Sequence, residues 1–310
     1  MSGKTPEARP TQLSRDLYPF DGKQLEIQGL RLHYLDEGSG EPVVMLHGNP
    51  SWSIYYRNLV LALRGSYRTV VPDHIGCGLS EKPGKERYPY TLERRVDDLE
   101  ALLESLGLTR DLTLVLHDWG GMIGMAWASR HPERVKRLVV LNTAAFGLPA
   151  SKPLPFTLRL VRDTALGALL VRGANAFARG ATRMAVTRRP MPRALREAYC
   201  APYDNWNNRI ATLRFVQEIP LAPGDKGFEL VTSVAQGLER FRGVPMLICW
   251  GEKDFVFDHH FLAEWTRRFP EAELHRFPDS GHYVLEDAGE EIAPLVSSFL
   301  ERHPLAAETP

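Results

Sequence analysis

Cysteine is nearly missing from this sequence. Cys77, Cys200 and Cys249 are its three copies, far apart and without a CxxC pair. That scarcity argues against a disulfide framework or a cysteine-based zinc site. It predicts reduced thiols in a cytoplasmic chain, two of them serving only to pack. Net charge is missing as well. The 38 Lys and Arg stand against 38 Asp and Glu, so the molecule as a whole has no pull toward nucleic acid or anionic membranes. No apolar run approaches the roughly 18 residues of a membrane span, and the opening MSGKTPEARPTQLSRD lacks the apolar stretch of a secretion signal. Neither metal-ligand spacing nor a phosphate-binding loop is seen, so no metal and no other cofactor is expected.

What remains is an ordinary globular balance, 44% hydrophobic and 25% charged over 310 residues, enough to bury a substantial core. Short β-rich runs recur: QLEIQ, LHYLDE, VVMLHG, TVVPD, LTLVLH, RLVVLN, MLICWG and ELHRF. The last six carry few interior charges, as strands covered on both faces should. Helical patterns lie between them, such as 91–107, opened by the N-cap candidate Thr91 and closed by Gly107. This alternation predicts an α/β fold with a mostly parallel sheet and right-handed crossovers. The first two runs read as an antiparallel hairpin at its edge.

The rhythm breaks after LNTAAFG. From about 148 to 225 no strand pattern appears, and prolines punctuate short helical pieces. The expected organisation is therefore a core of 1–146 and 226–310 with a helical lid, 147–225, inserted above the carboxyl ends of the strands. Within 146–220 there are twelve Lys or Arg and four Asp or Glu. A solvated basic face and a dock for an acidic partner or anionic surface both fit that excess. The two termini read as disordered.

The stretch LVLHDWGGMIG carries the chemistry. A strand runs into a helix with small residues at its start, and such a sharp turn projects its middle residue, Asp118, above the sheet. The helix N-terminus there favours negative charge. The pattern departs from GxSxG twice, with Leu116 for the first glycine and aspartate for serine. An aspartate can also simply cap a helix. Two further loops point to catalysis: Asp254 follows the strand MLICWG, and His282 follows the last strand. Nucleophile, acid, histidine is the chain order that a strand-turn-helix nucleophile requires. Asp258 is a rival for the acid. Asn142, after the preceding strand, cannot serve as that carboxylate. In HGNPSW the turn after the third strand brings Asn49 near, and its side-chain N–H together with the indole N–H of Trp119 can hold an anion.

At these residues the chain resembles the α/β-hydrolase superfamily, and within it the haloalkane dehalogenases, through HGNPSW, DHIGCGLSEKP, HDWGG, WGEKD and GHYVLED. The resemblance implies an α/β-hydrolase fold with an eight-stranded, mostly parallel sheet, helices on both faces and a lid. It also implies Asp118 as nucleophile, His282 as base, Asp254 as its orienting acid, and Asn49 with Trp119 as the anion-binding pair. The wording YTLERRVDDLEALL, VKRLVVLNTAAF and APYDNWNNRI is similar to the β-lactone decarboxylases of bacterial long-chain olefin biosynthesis. That similarity implies conversion of a cis-3,4-dialkyl β-lactone to a cis-alkene and carbon dioxide. The implied partners are a β-lactone synthetase and a ketone reductase.

A carboxylate with an ordinary pKa near 3.9 is ionised at neutral pH and needs no base to activate it. A long dialkyl substrate needs apolar room, for which the lid offers Leu154, Phe156, Leu158, Leu166, Leu169, Leu170, Phe177 and Met184. The rival readings are a haloalkane dehalogenase, an epoxide hydrolase using the lid tyrosines Tyr199 and Tyr203, and a non-catalytic scaffold.

Overall fold

A computed structural model describes residues 13–305. The expectations of disordered termini and of no secretion signal fall largely on 1–12 and 306–310, outside the described residues. Eight strands form one sheet: β1 (Lys23–Ile27), β2 (Leu30–Glu37), β3 (Glu41–Leu46), β4 (Tyr67–Pro72), β5 (Leu112–Asp118), β6 (Val135–Thr143), β7 (Met246–Gly251) and β8 (Glu273–Phe277). Their spatial order is β1-β2-β4-β3-β5-β6-β7-β8. The β1–β2 and β2–β4 pairs are antiparallel and the rest parallel, so the hairpin sits at the edge as its alternating pattern predicts.

Eleven α-helices accompany the sheet among the described residues. The core helices are α1 (Arg57–Leu63), α2 (Leu92–Ser105) and α3 (Trp119–Arg130), then α9 (Phe228–Gly237), α10 (His259–Arg268) and α11 (Val284–Arg302). Between β6 and β7 lie α4 (Phe156–Asp163), α5 (Ala165–Ala174), α6 (Ala176–Met184), α7 (Arg193–Cys200) and α8 (Ile210–Gln217), with no strand among them. At α2 the Thr91 hydroxyl accepts a hydrogen bond from the Arg94 amide, and Gly107 takes the left-handed φ of +66° that ends the helix.

Strand alternation explains the two apolar layers. Val44, Leu46, Leu114, Leu116, Val140 and Ile248 face one way and pack with α2, α3 and α10. Their neighbours Val43, Met45, Val115, Val139 and Leu247 face the other, against α1 and α11. Central strands are thus apolar at most positions, with Thr113, His117, Arg137 and Asn142 as buried polar exceptions. The expectation of double coverage is corrected for β8, the sheet's other edge: Glu273 and His275 are half-buried, Leu274 and Arg276 exposed, and Phe277 alone is buried. Among the described residues no helix is long and apolar enough to cross a membrane.

Candidate active site

The fully buried strand β5 ends at Asp118 and α3 begins at the next residue. Asp118 makes the turn with φ +51° and ψ −127°, a conformation that costs a residue with a side chain about 1–3 kcal/mol. Glycines make the turn feasible. A methyl group on Gly120 would strike the Leu46 carbonyl, on Gly121 the Thr143 hydroxyl, and on Gly48 the Asp118 carboxylate itself. The Thr143 hydroxyl, from the end of β6, donates to the Asp118 carbonyl and pins the bend.

The Asp118 carboxylate is held asymmetrically. Its Oδ1 accepts the Asn49 backbone N–H at 2.5 Å, and the Trp119 backbone N–H also donates to the group. Its Oδ2 lies 3.6 Å from Nε2 of His282. On the far side of that ring, Nδ1–H donates to Asp254 Oδ2 at 2.8 Å. Asp254 is in turn fixed by the amides of Val256 and Phe257, at 2.7 and 3.1 Å to Oδ1, and by the Asn142 side chain at 3.0 Å to Oδ2. All three residues are buried.

Burial pushes the Asp118 carboxyl above its ordinary value, although the His282 imidazole and the two backbone amides pull it back. The expectation of an unperturbed carboxylate is corrected accordingly. For His282 burial works against the charged form, but Asp254, by charge and hydrogen bond, and then Asp118 outweigh it, so its pKa is raised.

Asn49 and Trp119 both border the cavity above Asp118. One N–H of the Asn49 amide goes to the Thr212 carbonyl at 3.0 Å, leaving the second for a ligand. The Trp119 ring leans on Phe215, with centroids 5.4 Å apart. The rival acid Asp258 is engaged elsewhere: it accepts from the His260 amide at the start of α10 and pairs with Lys152 at 2.5 Å. Asp258, His259 and His260 bring ligand atoms within 4.8 Å of one another, but this carboxylate is already satisfied by those contacts. Tyr199 donates to Glu286 at 2.5 Å and Tyr203 to the Ser51 carbonyl at 3.3 Å, both outside the cavity lining. Neither tyrosine is available to protonate an epoxide oxygen.

The cavity measures about 350 Å³ and its lining is overwhelmingly apolar. Of the eight lid residues considered from sequence, Leu154, Leu158, Leu170, Phe177 and Met184 line it. Phe156, Leu166 and Leu169 instead face outward, 77%, 57% and 56% exposed. Three neighbours of the site were not expected to take part. Asn142 bonds Asp254 from β6, His117 meets the His282 carbonyl at 2.9 Å, and Phe257 lies nearly parallel to the His282 ring at 5.8 Å. Only Asn142 carried a signal, a polar residue at the end of a central strand beside β7.

The alpha/beta hydrolase fold family matches residues 41–289. The chain belongs to the α/β-hydrolase family. It is 57% identical to a cis-3-alkyl-4-alkyloxetan-2-one decarboxylase of Shewanella oneidensis, over 92% of this chain and 89% of that protein. It is 52% identical to the Xanthomonas campestris pv. campestris protein of the same name, over 93% of this chain and 98% of that one. Among solved structures it resembles the haloalkane dehalogenase DatA from Agrobacterium tumefaciens C58, with TM-score 0.82 and 26% identity, covering 91% of this chain and 97% of that one. Its α/β-hydrolase relatives are thus named as decarboxylases and as dehalogenases, and it is an enzyme of that fold.

Proposed function

We propose that the protein decarboxylates a cis-3,4-dialkyl β-lactone to a cis-alkene and carbon dioxide in long-chain olefin biosynthesis. The observation that carries this reading is the Asp118 carboxylate in the wall of an apolar-lined cavity, one oxygen held by the Asn49 backbone N–H and the other beside His282. Two relatives named for this reaction support it. In the proposal, core segments 1–146 and 226–310 supply Asp118, His282 and Asp254, and the lid 147–225 covers the alkyl chains.

Asp118 attacks the ring carbon that bears the alkoxy oxygen, with inversion. The C–O bond of the ring breaks, and its electron pair leaves on the freed carboxylate, toward the N–H groups of Asn49 and Trp119. The carbon–carboxylate bond then supplies the electrons of the alkene as Asp118 departs with its own C–O pair. Inversion followed by anti elimination keeps a cis ring as a cis alkene, and no water or oxidant is consumed. A competing course has Asp118 attack the carbonyl, the ring oxygen leaving as the alkoxide, with His282 and water resolving the acyl intermediate to a β-hydroxy acid rather than to an alkene.

Incubating the purified protein with a cis-β-lactone and detecting alkene by gas chromatography tests the reading. No alkene above an Asp118→Ala control rejects it. Dehalogenation is the second reading, favoured by Asn49 and Trp119 facing the cavity together, and halide release from a haloalkane panel would select it. Assembly with a β-lactone synthetase and a ketone reductase, in the cytoplasm, completes the proposal, and co-purification of the three proteins tests it.

A further inference from the structure

Nine large hydrophobic side chains are strongly exposed among the described residues, and five of them, Phe156, Leu166, Leu169, Leu170 and Met184, lie on α4 to α6. Within α5 the outward positions 166, 169, 170 and 173 form one helical stripe of three leucines and a glycine, while Gly167 and Val171 face inward. A helix apolar on both sides belongs in a core or against lipid, not in water. Leu170 and Met184 are also part of the cavity wall, so the mouth of the substrate cavity opens within this apolar face.

Helix α6 joins that face to a second feature. Its residues Phe177, Gly180, Ala181 and Met184 line the cavity, whereas Arg179 and Arg183 line a groove on its other side with Arg193, Arg196 and Arg209. Arg193 is paired with Glu197, and the Arg209 guanidinium is spent on four backbone carbonyls. Among the described residues, Arg179, Arg183 and Arg196 have no acidic side chain in ion-pair range, and Asn175, buried in the same groove, has a side-chain oxygen without a partner. Part of the lid's positive excess, five arginines against Glu197 and Asp204, thus lines a groove on the helix that carries the exposed Met184.

We propose that α5 and α6 dock the enzyme on an anionic phospholipid bilayer. The leucine stripe enters the acyl boundary, Arg179 and Arg183 meet lipid phosphates, and the cavity mouth faces the hydrocarbon from which a water-insoluble substrate enters. An apolar helix face flanked by arginines is the arrangement that holds peripheral proteins in a membrane interface. The delivery role rests on the proposed dialkyl substrate; the docking itself does not.

Vesicle flotation separates the two. The full chain is expected to float with equal mixtures of phosphatidylcholine and phosphatidylglycerol, weakly with phosphatidylcholine alone, and less as salt is raised. Leu166→Asp with Leu169→Asp, or Arg179→Glu with Arg183→Glu, should lower partitioning at least about tenfold. Turnover of a short, water-soluble substrate should stay unchanged, which reports an intact fold. No flotation, equal flotation with both vesicle types, or a stripe that instead closes a dimer broken by the leucine variants would overturn the proposal. If flotation holds but no alkene forms from any β-lactone, docking stands and the reaction assignment falls.

Discussion

The Asn142 side chain bridges two strands: its Nδ2 donates to Asp254 Oδ2 at 3.0 Å and to the Gly251 carbonyl at 2.9 Å, and its Oδ1 accepts the Gly251 amide at 2.8 Å. It therefore fixes both the carboxylate that orients His282 and the backbone from which that carboxylate hangs. Asn142→Ala removes a buried donor, a loss of about 1–3 kcal/mol. Turnover should fall roughly ten- to a hundredfold with KM little changed, and a steady-state comparison of kcat and KM checks it.

The bend at Asp118 tolerates no side chain opposite it. Gly48→Ala would drive a methyl group into the Asp118 carboxylate. Activity should fall at least about a hundredfold while circular dichroism and Tm stay near wild type, since the collision is with a side chain of the site rather than with the core.

Isotope placement distinguishes the two courses at Asp118. In a single turnover in ¹⁸O-water, direct elimination leaves Asp118 unlabelled, whereas an ester or anhydride resolved by water delivers label to it. Mass analysis of the Asp118 peptide reads the result. Asp118→Ala belongs beside Asp118→Asn as a control, because hydrolysis of the amide can restore aspartate.

Any turnover in which neutral His282 takes a proton from water must rise with pH through the His282 pKa. Because contacts with Asp254 and Asp118 raise that pKa, the midpoint should lie above the 6.5 of an ordinary histidine. Asp254→Asn removes the largest upward pull, so the midpoint should move to lower pH even as the rate drops. A pH–rate profile of both proteins checks it; an upward move contradicts the assignment.

The lid is tied to the core by a buried cluster. Arg57 on α1 makes two hydrogen bonds to Glu286, at 2.5 and 2.9 Å, and Tyr199 on α7 donates to the same carboxylate. Glu286→Ala leaves Arg57 buried without its partner, and breaking such a pair costs about 3–5 kcal/mol. Denaturant unfolding should show a loss of that order, and limited proteolysis should cut first within 147–225.

Much of this was legible in one chain. All eight strands appear as β-rich runs, the central ones nearly free of interior charge because they are covered on both sides, and Asp118, Asp254 and His282 follow one another at or just after β5, β7 and β8 in the expected order. What stayed hidden depends on neighbours in space. ELHRF carries Glu273 and Arg276 beside its apolar residues, and the sheet order shows why: it is an edge. Asn142 was weighed as a missing carboxylate, since nothing in sequence tells that its amide reaches across to Asp254. Leu166 and Leu170 have the same character and both are exposed, yet only Leu170 also reaches the cavity, because lid helices have apolar residues on more than one side.

An aspartate in water is a symmetrical group whose two ends trade places freely. With Oδ1 tethered to the Asn49 amide and Oδ2 turned toward the imidazole, the one at position 118 has an inner and an outer edge that do not interchange. In the proposed attack, such fixed edges decide which side of the carboxylate an arriving carbon can meet, so the approach is set by the pocket before the substrate enters it.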